Sequence, residues 1–302
     1  MGLNCAVLVI AYNKPEHLAR VLEVLSHDLP QKLYVHIDGP KVEAESRETH
    51  LRVIETVRSF ESKFPRIILK TQSSNLGGRL GVLEALNWFF SNEAAGLIVE
   101  EDVLPIGDYS NFTENALQVI DQSPTIKFAC LFNPGISSNS AFLLSHWVPW
   151  GWATSSKNWQ EIQDKIARDG ALLHFNLFQL GPRRRIGVIL YLNSILEKVK
   201  NGQVATWDAE IHSAIISTSA KVIFPKVALS KHIGIGTGAT HADSQDWWSE
   251  IEFGGSGVIT SDLSNLELDS TKDYLFEKIW RMTLISILIN RIRLLIKKFA
   301  IL

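Results

Sequence analysis

The sequence predicts an α/β fold: a mostly parallel central sheet flanked by helices. Three observations carry this. Short runs such as AVLVIAY (6–12) and GLIVE (96–100) are continuously apolar, as strands buried on both faces are. Segments with apolar residues at helical spacing separate them. Each run ends in a polar or glycine-containing turn, so strand and helix alternate.

AVLVIAY is the first strand. Asn13, Lys14 and Pro15 then cap and open a helix with Leu18, Val21, Leu22 and Leu25 on one face. LYVHID (33–38) is the second strand, and the charged segment 41–60 places Leu51, Ile54 and Val57 at helical spacing. RIILKT (66–71) is the third strand, followed by a helix expected from about Gly81 to Asn92. GLIVE, a helix over 109–121 and IKFACLF (126–132) complete a βαβαβαβαβ order with no repeat or linker that divides it. After residue 133 the pattern loosens and becomes tryptophan-rich, with seven of the nine tryptophans at 147, 150, 152, 159, 207, 247 and 248. The expected organisation is therefore 1–132, then 133–265 as the other half of the same domain, then a tail, 266–302.

Composition narrows the function classes. A net charge of -2 gives no general attraction to nucleic acid. Cys5 and Cys130 lie inside apolar runs, which suits buried reduced thiols and a cytoplasmic setting. The opening MGLNCAVLVIAY has no basic residues before its apolar run and reads as a strand rather than a secretory signal. After Glu277 come six basic residues and no acid, and the longest uncharged run, Met282 to Asn290, falls short of the ~20 residues that span a bilayer. Ile292, Leu295, Ile296 and Phe299 form an apolar stripe, compatible with an interfacial helix making peripheral contact with the inner face of the membrane or with one docked on the domain.

Open parallel sheets bind ligands beyond the carboxyl ends of their strands. Those ends carry Asn13 and Lys14, then Asp38 and Gly39, then Asn75, Gly77, Gly78 and Arg79, then Glu100, Glu101 and Asp102. Several carboxylates without a Cys or His motif favour a hard cation, Mn²⁺ or Mg²⁺, bridging to phosphate oxygens. The bland account of the acidic triplet is that it favours the N-terminus of the helix starting near Asp108.

Further along, GIGTGA (234–239) formally matches a dinucleotide fingerprint but stands far from the first strand. SKHIGIGTGATHA is a loop that closes over a ligand through His232 and His241, or an ordinary surface loop. In VATWDAEIHSAI (204–215), Asp208 beside Trp207 is either a partly desolvated general base or a helix cap. Trp150, Trp152 and Trp207 offer aromatic faces to a sugar or fill the core. Arg183 to Arg185 is a solvated turn or an acceptor-phosphate site.

With VIAYNKP, VHIDGP, LIVEEDV, PWGW and TWD in this order, roughly residues 5 to 240 resemble a glycosyltransferase of the GT-A fold. They are most similar to the family of the N-acetylglucosaminyltransferase that initiates complex N-glycan branching and to bacterial enzymes of surface-polysaccharide synthesis. The resemblance implies a nucleotide-sugar donor, UDP-linked GlcNAc or a related hexose, and a glycan or lipid-linked saccharide acceptor. It implies that Asp38 meets the nucleotide base, that Lys14 lies near the diphosphate and that Asp102 holds the metal, with Asn13, Asn75 and Arg79 as further donor-binding residues. Glu100 and Glu101 would face donor hydroxyls, with Trp150 and Trp207 against the sugar. Asp208 would deprotonate the acceptor in an inverting displacement.

Glu101 stands where the family usually has Asp, Lys14 where Arg is typical, Asn75 in place of a base-contacting His, and Ala209 where a second Asp follows. The alternatives are a catalytically inactive sugar-binding homologue and a sugar nucleotidyltransferase. The latter would need a glycine-rich basic loop after the first strand, where AYNKPEH supplies one Lys and no Gly.

Overall fold

A computed structural model describes residues 3–169, 185–204, 206–234, 251, 253–254, 263, 266, 268–283 and 285–286. The strands are β1 (Ala6–Ala11), β2 (Leu33–Ile37), β3 (Ile67–Thr71), β4 (Ala95–Glu100), β5 (Val103–Pro105), β6 (Ile126–Cys130), β7 (Phe142–Leu144), β8 (Trp152–Ser155), β9 (Lys221–Phe224) and β10 (Ser230–His232). The helices are α1 (Pro15–Asp28), α2 (Ala44–Ser59), α3 (Gly77–Phe90), α4 (Tyr109–Gln122), α5 (Ser156–Asp169), α6 (Arg185–Lys200), α7 (Asp208–Ser217) and α8 (Ser270–Ile279).

Eight strands form one sheet in the order β3-β2-β1-β4-β8-β6-β9-β7. It is mostly parallel, as expected, but β7 and β8 run against the others. β8 is wedged between β4 and β6, so the strand over 126–130 does not sit beside the one over 95–100. Strands from residues 1–132 and from 133–265 thus share one sheet.

Alternation along the strands explains their uninterrupted apolar runs. Leu8 and Ile10 of β1 and Ile98 of β4 join one core, with α3, α5, α6, α7 and α8 packed over it. Val7 and Val9 of β1 and Leu97 and Val99 of β4 join the other, under α1, α2 and α4. A strand covered on both faces has no polar side. Trp147, Trp152 and Trp159 are fully buried in the first core.

One helix starts earlier than its sequence indicates. α3 begins at Gly77 rather than near Gly81. Two glycines disfavour a helical start, but the Asp38 carboxylate accepts from the N–H groups of Leu76 (2.9 Å) and Gly77 (3.0 Å) and so caps α3 from another strand end. Both cysteines are free, Cys130 buried and Cys5 half-buried. No helix of the described residues is long and apolar enough to cross a membrane. About half of the expected tail, including the stripe from Ile292 to Phe299, lies outside the described residues, as do Gly236, His241, Trp247, Trp248, Arg183 and Arg184.

Candidate active site at the carboxyl edge of the sheet

Parallel pairing of β2, β1 and β4 brings the turns after these strands side by side. The turn after β1 is held by Glu101. Its carboxylate accepts from the backbone N–H groups of Tyr12 (2.8 Å), Asn13 (3.2 Å) and Lys14 (3.3 Å). Loss of water on burial pushes the Glu101 carboxyl up, against the pull of those three donors. Glu101, expected to face a donor hydroxyl, is buried with both oxygens engaged by the β1–α1 turn. Asn13 is exposed and contributes its backbone to this brace.

Asp38 is similarly engaged. It accepts from the backbone of Gly39 (2.8 Å), Leu76 and Gly77, and from Asn75 Nδ2 (3.0 Å). Four donors fill the approximately four lone-pair sites of a carboxylate. Asn75 Nδ2 also donates to the Gly39 carbonyl at 3.1 Å. Asp38, expected to read a base, and Asn75, expected to bind the donor, lace the β2 and β3 ends together. The two turns approach so closely that a Cβ on Gly39 would lie 2.3 Å from the Ser74 backbone, which fixes glycine there.

Asp102 is held differently. Lys14 Nζ stands 2.5 Å from its Oδ2, and His232 Nε2 lies 3.7 Å from its Oδ1. Burial pushes His232 down, so this second contact is made by a neutral ring. β10 reaches Asp102 because it pairs antiparallel with β5, and Ile233 N–H donates to the Asp102 carbonyl at 2.8 Å. A Cβ on Gly234 would fall 2.4 Å from Asp102 Oδ2, so only glycine lets the chain pass over this carboxylate. Gly234 follows β10, which removes it from the dinucleotide-fingerprint context.

Asp208 comes from the other half of the chain. It is the first residue of α7, with Oδ1 accepting from the Ala209 N–H (2.9 Å) and from the Thr206 hydroxyl. Arg79 and Glu210 form a two-point ion pair, Nε to Oε2 at 2.7 Å and a terminal nitrogen to Oε1 at 2.9 Å, which ties the first turn of α3 to that of α7. Arg79, expected to bind the donor, has a protein partner. The Glu100 carboxyl is pushed up to about 8, first by burial, then by the negative charges of Asp102, Asp208 and Glu101, with Lys14 opposing. Glu100 thus lies close enough to both Asp102 and Asp208 to feel their charges.

The tryptophans divide. Trp150 is half-buried and lies edge-on to His232, with ring centroids 5.3 Å apart, at the rim. Trp152 and Trp207 belong to the core, Trp207 edge-on to Trp147 at 5.7 Å. Trp207, expected against a sugar, is a core ring at the entry to α7, 8% exposed. Sequence reading missed Glu210, whose only trace is its place two residues after Asp208. It also missed Tyr191, whose hydroxyl is pushed up by burial and then by Asp208.

No group of three or more His, Cys, Asp or Glu side chains that could hold a metal ion occurs among the described residues. A cage made by protein alone is thus not formed by them. A single Asp102 carboxylate with Glu100 behind it fits the other arrangement, a hard cation held by one or two carboxylates and completed by phosphate oxygens and water.

No family model matches the chain, and no curated protein matches it. Among solved structures, it is similar to HddC from Yersinia pseudotuberculosis, at 11% identity and a TM-score of 0.31, over 51% of this chain and 77% of that one. A likeness at that level carries no argument about fold or activity.

Proposed function

We propose that the chain is a GT-A glycosyltransferase. It would move a sugar, GlcNAc or a related hexose, from a nucleoside-diphosphate carrier, UDP in the first instance, to a glycan or lipid-linked acceptor, with inversion. The observation that carries the reading is the Arg79–Glu210 pair. It fastens α7 to α3 at the carboxyl edge, so that Asp208 joins Glu100 and Asp102 although more than a hundred residues separate them.

In this reading Asp208 takes the proton of the acceptor hydroxyl as that oxygen attacks the anomeric carbon. Its Oδ1 is oriented by Thr206 and the Ala209 N–H, leaving Oδ2 for the acceptor. Lys14 brings positive charge to the departing diphosphate. Glu100, uncharged near neutral pH because burial and its acidic neighbours raise it, donates a hydrogen bond to a sugar hydroxyl. Asp102 would hold Mn²⁺ or Mg²⁺, which when bound supplies Lewis-acid neutralisation of the leaving group.

A panel of nucleotide sugars screened with manganese identifies the donor through its thermal shift, since a ligand at 100 times its Kd adds about 2.7 kcal/mol of stability. With that donor, Asp208→Asn lowers turnover ~10²- to 10⁴-fold and leaves donor binding intact by calorimetry. Near-normal turnover in this variant removes Asp208 from the mechanism.

A further inference from the structure

We propose that Lys14 is an internal counter-cation that occupies the divalent-cation position of Asp102 until a diphosphate draws it away, so that metal and diphosphate bind cooperatively. This rests on the reading of the site given above and assigns Lys14 a second role within it.

The geometry separates the backbone of Lys14 from its side chain. The backbone is fixed, because the Lys14 N–H donates to Glu101 Oε2 at 3.3 Å, the Lys14 carbonyl accepts from Leu18 N–H at 2.9 Å, and Pro15 follows directly. Among the described residues the ammonium, at the end of a flexible four-carbon stem that is 25% exposed, ion-pairs with Asp102 Oδ2 at 2.5 Å. Asp102 itself is 12% exposed, with Gly234 packed against Oδ2 and His232 beyond Oδ1. A divalent ion approaching Oδ2 therefore meets an ammonium already there, in a partly buried place where like charges repel more strongly than in water.

The ammonium can leave at low cost only if a new anion stands within its reach. A diphosphate bound beside the β1–α1 turn is such an anion, and once Lys14 has moved onto it, Asp102 is open to the metal, which then also meets phosphate oxygens. Coupling of this kind is reciprocal: whatever the diphosphate does for metal affinity, the metal does for diphosphate affinity. The same ammonium opposes the negative charges of Asp102 and Asp208 that act on Glu100.

The test titrates Mn²⁺ alone into the full chain, following free Mn²⁺ by electron paramagnetic resonance, for wild type, Lys14→Gln, Lys14→Arg and Lys14→Gln/Asp102→Asn. Thermal melts report whether each variant is folded. Lys14→Gln is expected to bind Mn²⁺ at least ten-fold more tightly than wild type, Lys14→Arg to stay as weak as wild type, and the double variant to lose the gain. The second arm repeats the titrations with UDP and with GDP, corrected for the metal–nucleotide complex formed in solution. Here UDP or GDP strengthens Mn²⁺ binding to wild type at least ten-fold more than to Lys14→Gln. Equal Mn²⁺ affinity in Lys14→Gln and wild type overturns the inference. If Lys14→Gln does not fold, Lys14→Met takes its place with the same expectation. Should wild type bind both nucleotides equally with and without Mn²⁺, the metal reading of Asp102 falls as well. Nucleotide binding that needs Mn²⁺, with no gain in Lys14→Gln, sinks only the role given to Lys14.

Discussion

Asp38 and Asp102 both stand at carboxyl ends of parallel strands, yet they are wired in opposite ways. Asp38 is saturated by four N–H donors, three of them backbone, and these join two turns and cap α3. Asp102 is held by one flexible side chain and a neutral imidazole. A strand-end carboxylate committed to backbone donors builds the crevice, whereas one held by an exchangeable cation is free to serve what enters it. Position on the sheet rule alone does not tell them apart; the origin of the donors does.

The largest expected effect breaks the comparison from the Asp38 side. Asp38→Ala leaves the N–H groups of Gly39, Leu76 and Gly77 and the Asn75 amide without their acceptor, and each buried donor left so costs ~1–3 kcal/mol. Urea denaturation should show a loss of at least ~3 kcal/mol. A stability equal to wild type would make Asp38 as dispensable as Asp102.

The next effect concerns pH in the same wired region. His36, two residues before Asp38 on β2, has no solvent exposure, and burial, helped by Lys70, pushes it down to about 4 from 6.5. The folded chain keeps this ring neutral while the unfolded chain protonates it. Its contribution is therefore complete above pH 6.5 and is lost as pH falls toward 4, by up to ~3 kcal/mol. His36→Asn should flatten that part of the stability profile, measured by urea unfolding at pH 7 and at pH 4.5. Parallel profiles for the variant and wild type would remove His36 as the cause.

The smallest effect on stability belongs to Asp102. Asp102→Asn gives up only a partly exposed ion pair, so stability should stay within ~1 kcal/mol of wild type. The same variant should lose manganese-dependent nucleotide binding in a calorimetric titration. A large stability loss with binding intact would reverse the assignment of the two aspartates.

Much of the crevice was legible from residue order. The βα alternation puts Lys14, Asp38, Asn75 and Asp102 at one edge, because parallel strands share a carboxyl end. The division of labour was not legible. Glu101 reads as one more acid in a triplet, and its three donors lie near residue 13, far along the chain. Trp152 and Trp207 read as sugar platforms as easily as core rings, because aromatic surface serves both ends until burial is known. The start of α3 was misplaced for the same reason, since its cap arrives from β2.

By itself, then, the sequence determined the alternation of strand and helix, the two-sided burial of β1 and β4, and which polar residues end up at the ligand-binding edge. These follow from local periodicity and from the parallel sense of the strands. Tertiary structure decided the insertion of β8 between β4 and β6, the meeting of Asp208 with Glu100 through Arg79 and Glu210, and the possession of Asp102 by Lys14. Those depend on pairings between distant residues, and a hydrogen bond or ion pair across a hundred positions leaves no periodic trace in either partner's neighbourhood.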